Sequence, residues 1–199
     1  MEKHMEKNDL PPFIRDNYEV HEIHHALAIL KTDFPNEFRD ICSLLMGFRL
    51  KKSHIVEAGG RKSKVAESID SELIKMGWKE RLFDTKFNVD GVVRNSPTHK
   101  VDCFKNEIAL EIEWNNKDPF FDRDLNNFRL LFELRAVSVG VIITRCDELQ
   151  DVFDELGRGS SFGMSTTHMS KLLPKLEGGG GGGCPIVVFG ITKKLLVDR

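Results

Sequence analysis

Residues 99–116, HKVDCFKNEIALEIEWNN, carry three carboxylates at a spacing that can do chemistry: Asp102, Glu111 and Glu113. Two short apolar runs, 99–104 and 108–114, flank Lys105-Asn106-Glu107, which suits a tight hairpin turn. Strand side chains alternate between faces, so Glu111 and Glu113 share one face and Ile108, Leu110 and Ile112 take the other. A turn at 105–107 brings Asp102, at the end of the first run, beside Glu111. Three carboxylates then converge on one patch. Such groups repel, and burying them unpaired is costly. A divalent cation is the usual compensation. Mg²⁺ prefers hard oxygen ligands and keeps several waters, so two carboxylates and a substrate phosphate make a suitable site. Towards a phosphodiester the cation would offset charge on the attacked phosphate and acidify water. The third carboxylate could orient or deprotonate that water. The alternative is a solvated hairpin face with its acids turned outward. Two features weigh against it. Ala109, Leu110 and Ile112 make the second run read as central rather than edge. Trp114-Asn115-Asn116-Lys117-Asp118 follows it, rich in groups that can contact DNA.

The elements that must hold these residues come from hydrophobic periodicity. Residues 18–30 carry Val20, Ile23, Ala26, Leu27 and Leu30 at helical spacing. A second helix is predicted after Pro35, with Phe38, Ile41, Leu44, Leu45 and Phe48 as its apolar stripe. Residues 51–64 are basic, contain Gly59-Gly60, and read as a loop or frayed strand. A third helix runs over 65–76 and stops at Gly77. Residues 78–89 read as extended with a turn near Asp84, and Asn95-Ser96-Pro97 marks another turn. A helix over 122–136 precedes a β-branched buried strand at 137–144. Short helices near 147–156 and 166–176 and a last buried strand at 185–192 complete the chain. Helices flanking a mixed central sheet place it in the α/β class. The whole of 1–199 reads as one domain, with a loose arm over 1–12. The six glycines at 178–183 read as a flexible connector. They precede a strand and lack the Lys-Ser/Thr of a phosphate loop, which argues against nucleotide binding there.

The chain has 199 residues, 40% of them hydrophobic and 30% charged, with a net charge of −2. That composition is ordinary for a folded globular domain and is neutral towards nucleic acid, since local patches matter more than totals. Cys42, Cys103, Cys146 and Cys184 are widely spaced, without the pairing of a zinc site, and read as buried thiols of a reducing compartment. No apolar stretch is long enough to span a membrane and the N-terminus is unlike a signal peptide, so a cytoplasmic location without membrane contact is expected. His21 and His25 would form an i, i+4 pair on a helix, but no third ligand is specified, and a surface helix is the simpler reading.

Asp-x8-Glu-x-Glu fits the PD-(D/E)xK nuclease signature with glutamate in the lysine position. With its context (VDCFKNEIALEIEWNN, then FFDRDLNNF, then VSVGVIITRCDEL) the sequence resembles BamHI/BglII/BstYI-type type II restriction endonucleases. MGWKE before residue 81 and PIVVFGI near the end extend the resemblance to about residues 65–192. It implies a restriction-endonuclease-like fold with a mixed sheet between helices. It also implies Mg²⁺-dependent hydrolysis of duplex DNA at a short palindromic site by a homodimer, as part of a restriction-modification system, with Mn²⁺ able to substitute. Asp102 and Glu111 would be metal ligands. Glu113 would be the general base or a further ligand. A fourth acid, metal-binding and catalytic, would come from the helix-to-strand junction, where Glu80 matches best and Glu72 or Glu67 are alternatives. A repair or mobile-element nuclease of the same fold, or a non-catalytic DNA-binding relative, are the competing readings.

DNA contacts need Lys, Arg and N–H groups for phosphates and Arg, Asn or Gln for base edges. Arg61, Lys62 and Lys64 lie in the basic loop. Asn115, Asn116 and Lys117 follow the active-site strand. Arg158, Ser160, Ser161, Thr166, Thr167 and His168 lie in GRGSSFGMSTTHM, where relatives place a recognition loop. An ordinary surface loop with Ser165 or Thr166 as a helix N-cap is the alternative there.

Overall fold

The structure is a computed structural model describing residues 10–57 and 62–198. In chain order the elements are α1 Pro12–Asn17, β1 Tyr18–Ile23, α2 Ala26–Asp33, α3 Pro35–Gly47, β2 Leu50–Lys51, α4 Lys52–Val56 and α5 Lys64–Lys75. There follow β3 Lys79–Arg81, β4 Asp84–Val89, β5 Val92–Pro97, β6 Val101–Lys105, β7 Ile108–Glu113 and α6 Pro119–Glu133. The chain ends with β8 Val139–Arg145, α7 Leu149–Glu155, α8 Met169–Glu177, β9 Ile186–Ile191 and β10 Leu196–Val197. Six strands form the main sheet in the order β1-β9-β8-β7-β6-β3. β7, β8 and β9 run parallel at its centre, and β1, β6 and β3 are antiparallel to their neighbours. This is the mixed sheet flanked by helices that the sequence predicts.

The pleat of β7 sorts its side chains into two layers. Ile108, Leu110 and Ile112 join a core with Leu45, Leu73, Trp78 and Phe153. Ala109 joins a second core on the opposite face, with Phe121, Leu125 and Phe128 of α6 and Leu172 of α8. Every residue of β7, β8 and β9 is buried, as expected for parallel strands covered on both faces. α6 comes close to the sheet because β8 carries Gly140: a Cβ there would lie 2.5 Å from Phe128 Cδ2.

Several local expectations are corrected. Residues 18–23 form strand β1, not the start of a helix. Tyr18 and Val20 alternate inward, and β9 offers an edge that pairs all six residues antiparallel. His24 and His25, both at positive φ, then break the chain before α2, so His21 and His25 share no helix. Asn95-Ser96-Pro97 belongs to β5. The turn is instead Asp90-Gly91, where Gly91 takes φ +82°, a conformation glycine adopts without steric cost. The predicted helix at 166–176 begins three residues later, with His168 as its N-cap rather than Ser165 or Thr166. The glycines at 178–183 form turns, packed closely enough that a Cβ on Gly181 would meet Ile186 Cδ1 at 2.5 Å. No helix among the described residues is long and apolar enough to cross a membrane.

Candidate active site

The β6–β7 hairpin turns at Asn106 and Glu107, both at positive φ, as a two-residue hairpin loop requires. Its register pairs Cys103 with Leu110, which sets Asp102 across from Glu111. Their side chains lock the pairing. The Ile112 N–H donates to Asp102 Oδ2 at 3.2 Å, and the Asp102 N–H donates to Glu111 Oε2 at 3.2 Å. Glu111 and Glu113 face α6, each 1% exposed. Glu113 Oε2 accepts from Asn116 Nδ2 at 2.9 Å, and Glu113 Oε1 lies 3.4 Å from Arg123 Nη2. The three sequence-predicted carboxylates are therefore brought together.

A fourth acid joins them from an unexpected element. Asp124 of α6 is completely buried. Its Oδ1 is 2.7 Å from Arg123 Nη2 and accepts from Arg123 Nε at 2.8 Å. Arg123 in turn lies over the Phe120 ring at 4.3 Å. Asp124 and Arg123 escaped sequence reasoning. The available signal was that Asp124 falls on the apolar stripe of α6 with Phe121, Leu125, Phe128 and Leu131, where a solvated acid has no place.

The electrostatics follow from this crowding. Burial raises the Glu111 carboxyl well above its ordinary range, and the charges of Asp124 and Asp102 add to the rise. Burial, then Asp124, pushes Glu113 up to about 9. Asp124 is raised by burial as well, and a proton held by Glu113 would be shared with it. Asp102 is raised by burial, with partial relief from the Ile112 N–H and the Lys62 ammonium. Glu111 Oε1 and Asp124 Oδ2 are buried without a hydrogen-bond partner. Two such oxygens are a costly arrangement on their own and suit a hard divalent cation. Among the described residues no group of three His, Cys, Asp or Glu side chains stands as a ready-made cage. The donor set is one of hard oxygens, which fits a hard divalent cation.

The predicted junction acid is placed elsewhere. Glu80 lies on the exposed strand β3, ion-paired with Lys100 at 2.8 Å. Glu67 and Glu72 are exposed on α5, paired with Lys64 and Lys75. The α5 carboxylate whose charge acts on Asp102 is Asp70. It accepts from Cys103 Sγ at 3.2 Å and pairs with Lys62 Nζ at 2.9 Å.

The predicted DNA-contacting residues divide by exposure. Arg61 lies outside the described residues. Lys62 and Lys64 are exposed, as are Lys117, Ser160 and Ser161, while Asn115, Asn116 and Arg158 are half-buried. Thr166, Thr167 and His168 are buried and serve the interior. Thr166 pairs with Lys117 in an antiparallel bridge. The Thr167 N–H donates to the Asn116 carbonyl at 2.8 Å, and Thr167 Oγ1 accepts from the Asn116 N–H at 3.1 Å. The two candidate segments, 115–117 and 157–168, thus meet at the end of β7 that carries Glu113.

Residues 18–191 match a family model described as restriction endonuclease BglII/BglIII. No curated protein matches the chain.

Proposed function

Since the chain belongs to the restriction endonuclease BglII/BglIII family and is thereby a type II site-specific deoxyribonuclease, we propose that Asp102, Glu111 and Glu113 form its active site. We further propose that it works with Mg²⁺, as a homodimer, on a short palindromic site in duplex DNA. The observation that carries the site is the pair of buried, unpartnered carboxylate oxygens, Glu111 Oε1 and Asp124 Oδ2, beside Asp102 and Glu113.

Asp102 and Glu111 would hold the cation, with Asp124 adding negative charge from α6. When bound, Mg²⁺ would supply charge neutralisation at the scissile phosphate and acidify water. Glu113 is held by Asn116 and Arg123; once the charge of a bound cation has displaced the proton it holds in the metal-free protein, it would orient the attacking water and take its proton. Arg123 would limit the repulsion among the acids. Glu80 is a weaker candidate than Asp124 for the fourth acid, because its carboxylate is engaged with Lys100 on an exposed strand. Lys62, Lys64 and Lys117 would meet phosphates, and Asn115, Asn116, Arg158, Ser160 and Ser161 are the side chains with atoms left to read bases. A reducing cytoplasm suits the four buried free thiols.

Incubation with mixed-sequence DNA and Mg²⁺, followed by sequencing of the ends, tests this reading. Discrete ends at one self-complementary sequence are expected, with a particle mass of two chains in solution. Ends scattered without sequence preference, or strictly monomeric protein at working concentration on cleaved DNA, would overturn it.

A further inference from the structure

Arg145 ends β8 with its guanidinium in the interior, 1% exposed. Among the described residues it has no ion pair, and the acid whose charge reaches it is Asp147. Its Nε is buried without a partner. A buried cation without an ion-paired carboxylate is an expensive way to stabilise a fold, and a well-packed apolar side chain commonly does as well or better. Burial lowers its pKa to about 10, so it stays charged at neutral pH. Something other than core packing has to account for it.

Its contacts supply an account. Arg145 Nη2 donates to the Phe162 carbonyl at 2.8 Å and to Thr166 Oγ1 at 3.1 Å. Thr166 Oγ1 donates to the Gly163 carbonyl at 2.8 Å, so one guanidinium ties down both ends of the turn over 162–166. The Phe162 ring stacks on Phe153 at 4.1 Å, and Arg145 lies 5.2 Å from the centre of that same Phe153 ring. From Thr166 the connection runs outward. The Asp118 N–H donates to the Ser165 carbonyl at 3.1 Å, and Thr167 and Asn116 exchange two bonds. Asn116 Nδ2 then holds Glu113 Oε2 at 2.9 Å. The sheet closes the circuit, because β7 and β8 pair Glu113 with Thr144, the residue before Arg145.

We propose that Arg145 is a positioning residue that fixes the 157–168 loop against the catalytic carboxylates and so couples base recognition to cleavage. The proposal rests on the reading of the exposed part of that loop, Ser160 and Ser161, as base-contacting. Rigid anchoring of both groups to one strand end is what such coupling needs: a loop seated on the wrong base pair strains the Thr167–Asn116 contact and shifts Glu113. Specificity is then expressed in the rate of cleavage as well as in binding.

The test compares Arg145→Met, Arg145→Lys and the double variant Ser160→Ala/Ser161→Ala with wild type, all with Mg²⁺. The readouts are single-turnover cleavage of the cognate site, cleavage of sites changed at one base pair, and thermal melting. Arg145→Met should lower the cognate-to-near-cognate ratio by about tenfold or more, mainly through the cognate rate constant rather than KM. Arg145→Lys, which keeps the charge but not the reach and planar shape of the guanidinium that set Nη2 between the two acceptors, should lie between. If the Met variant does not fold, the Lys variant carries the test with the same expected direction. A lowered melting temperature with an unchanged ratio in the folded Arg145 variants, while the serine variant alters it, would overturn the role of Arg145. An unchanged ratio in all three would overturn the recognition reading of the loop and this inference with it.

Discussion

Glu113 gives the metal-free protein a pH dependence that can be worked out from its surroundings. Its carboxyl titrates at about 9 in the folded chain, against an ordinary value of 4.5, because of burial and then the charge of Asp124. Between those values the folded chain holds a proton that the unfolded chain has released. Stability therefore falls as pH rises, and the loss is complete once pH passes the folded value. The slope is about 1.4 kcal/mol per pH unit for one proton. Half-buried His54 and buried His168 are held below their usual values and act in the opposite sense, but only at and below about pH 6.5. The histidines are silent from about pH 7 to 8.5, across which Glu113 alone should cost roughly 2 kcal/mol; the four buried thiols, all raised by burial, add to the fall only towards the alkaline end, equally in wild type and in a Glu113 variant. For a domain of this size that is a fall of about 4–8 °C in melting temperature. Glu111, raised in the same direction, can only steepen it. The assay is thermal unfolding in chelator across that window, with Glu113→Gln beside wild type. The variant should lose the share of the slope due to one proton, and added Mg²⁺ should restore wild-type stability most at the alkaline end. A melting temperature flat or rising with pH in wild type, or an equal slope in Glu113→Gln, would refute the reasoning.

Three further outcomes follow from single contacts. Asp124→Asn should raise the melting temperature in chelator, by relieving repulsion on Glu111 and Glu113, while weakening Mg²⁺ binding in titration calorimetry; unchanged affinity would remove Asp124 from the site. Asn116→Ala removes the Nδ2 donor to Glu113 Oε2, a bond worth about 1.5–3 kcal/mol when Glu113 is ionised, so single-turnover cleavage with Mg²⁺ should fall roughly tenfold or more in a variant that still melts cooperatively. Gly140→Ala would put a Cβ 2.5 Å from Phe128 Cδ2 and should cost about 1–3 kcal/mol by denaturant titration.

The hairpin was legible in the sequence because two local signals agree there. Asn106 tolerates the positive φ of the turn, and Ile108, Leu110 and Ile112 alternate with Glu111 and Glu113, so register and face follow from period alone. Strand β1 was not legible, since Val20, Ile23, Ala26, Leu27 and Leu30 satisfy a helical period. What decides the first six residues is the free edge of β9, 163 or more residues away in the chain (from Ile23 to Ile186). The site divides in the same way. Asp102, Glu111 and Glu113 are set by one hairpin. Asp124 and Arg123 enter only through the docking of α6, which depends on Gly140 beneath Phe128. The choice among Glu67, Glu72 and Glu80 rested on order along the chain. The rotation of α5 instead turns Asp70 towards Cys103 and leaves Glu67 and Glu72 in solvent, while Glu80 lies on the exposed strand β3. The buried Thr166, Thr167 and His168 looked like recognition residues because a polar run without periodicity reads the same whether it faces DNA or laces a loop to a sheet.

The central claim is that the buried carboxylates of the β6–β7 hairpin perform the cleavage, and Glu111 tests it most directly. Glu111→Ala should be measured by single-turnover cleavage of the mapped site with Mg²⁺, beside a thermal melt of the same preparation. A cooperatively folded variant is expected, no less stable in chelator than wild type because a buried acid with one oxygen unpartnered and the other held only by the Asp102 N–H has gone, and its cleavage falls to background. A folded Glu111→Ala protein that cuts at a rate near wild type would contradict it.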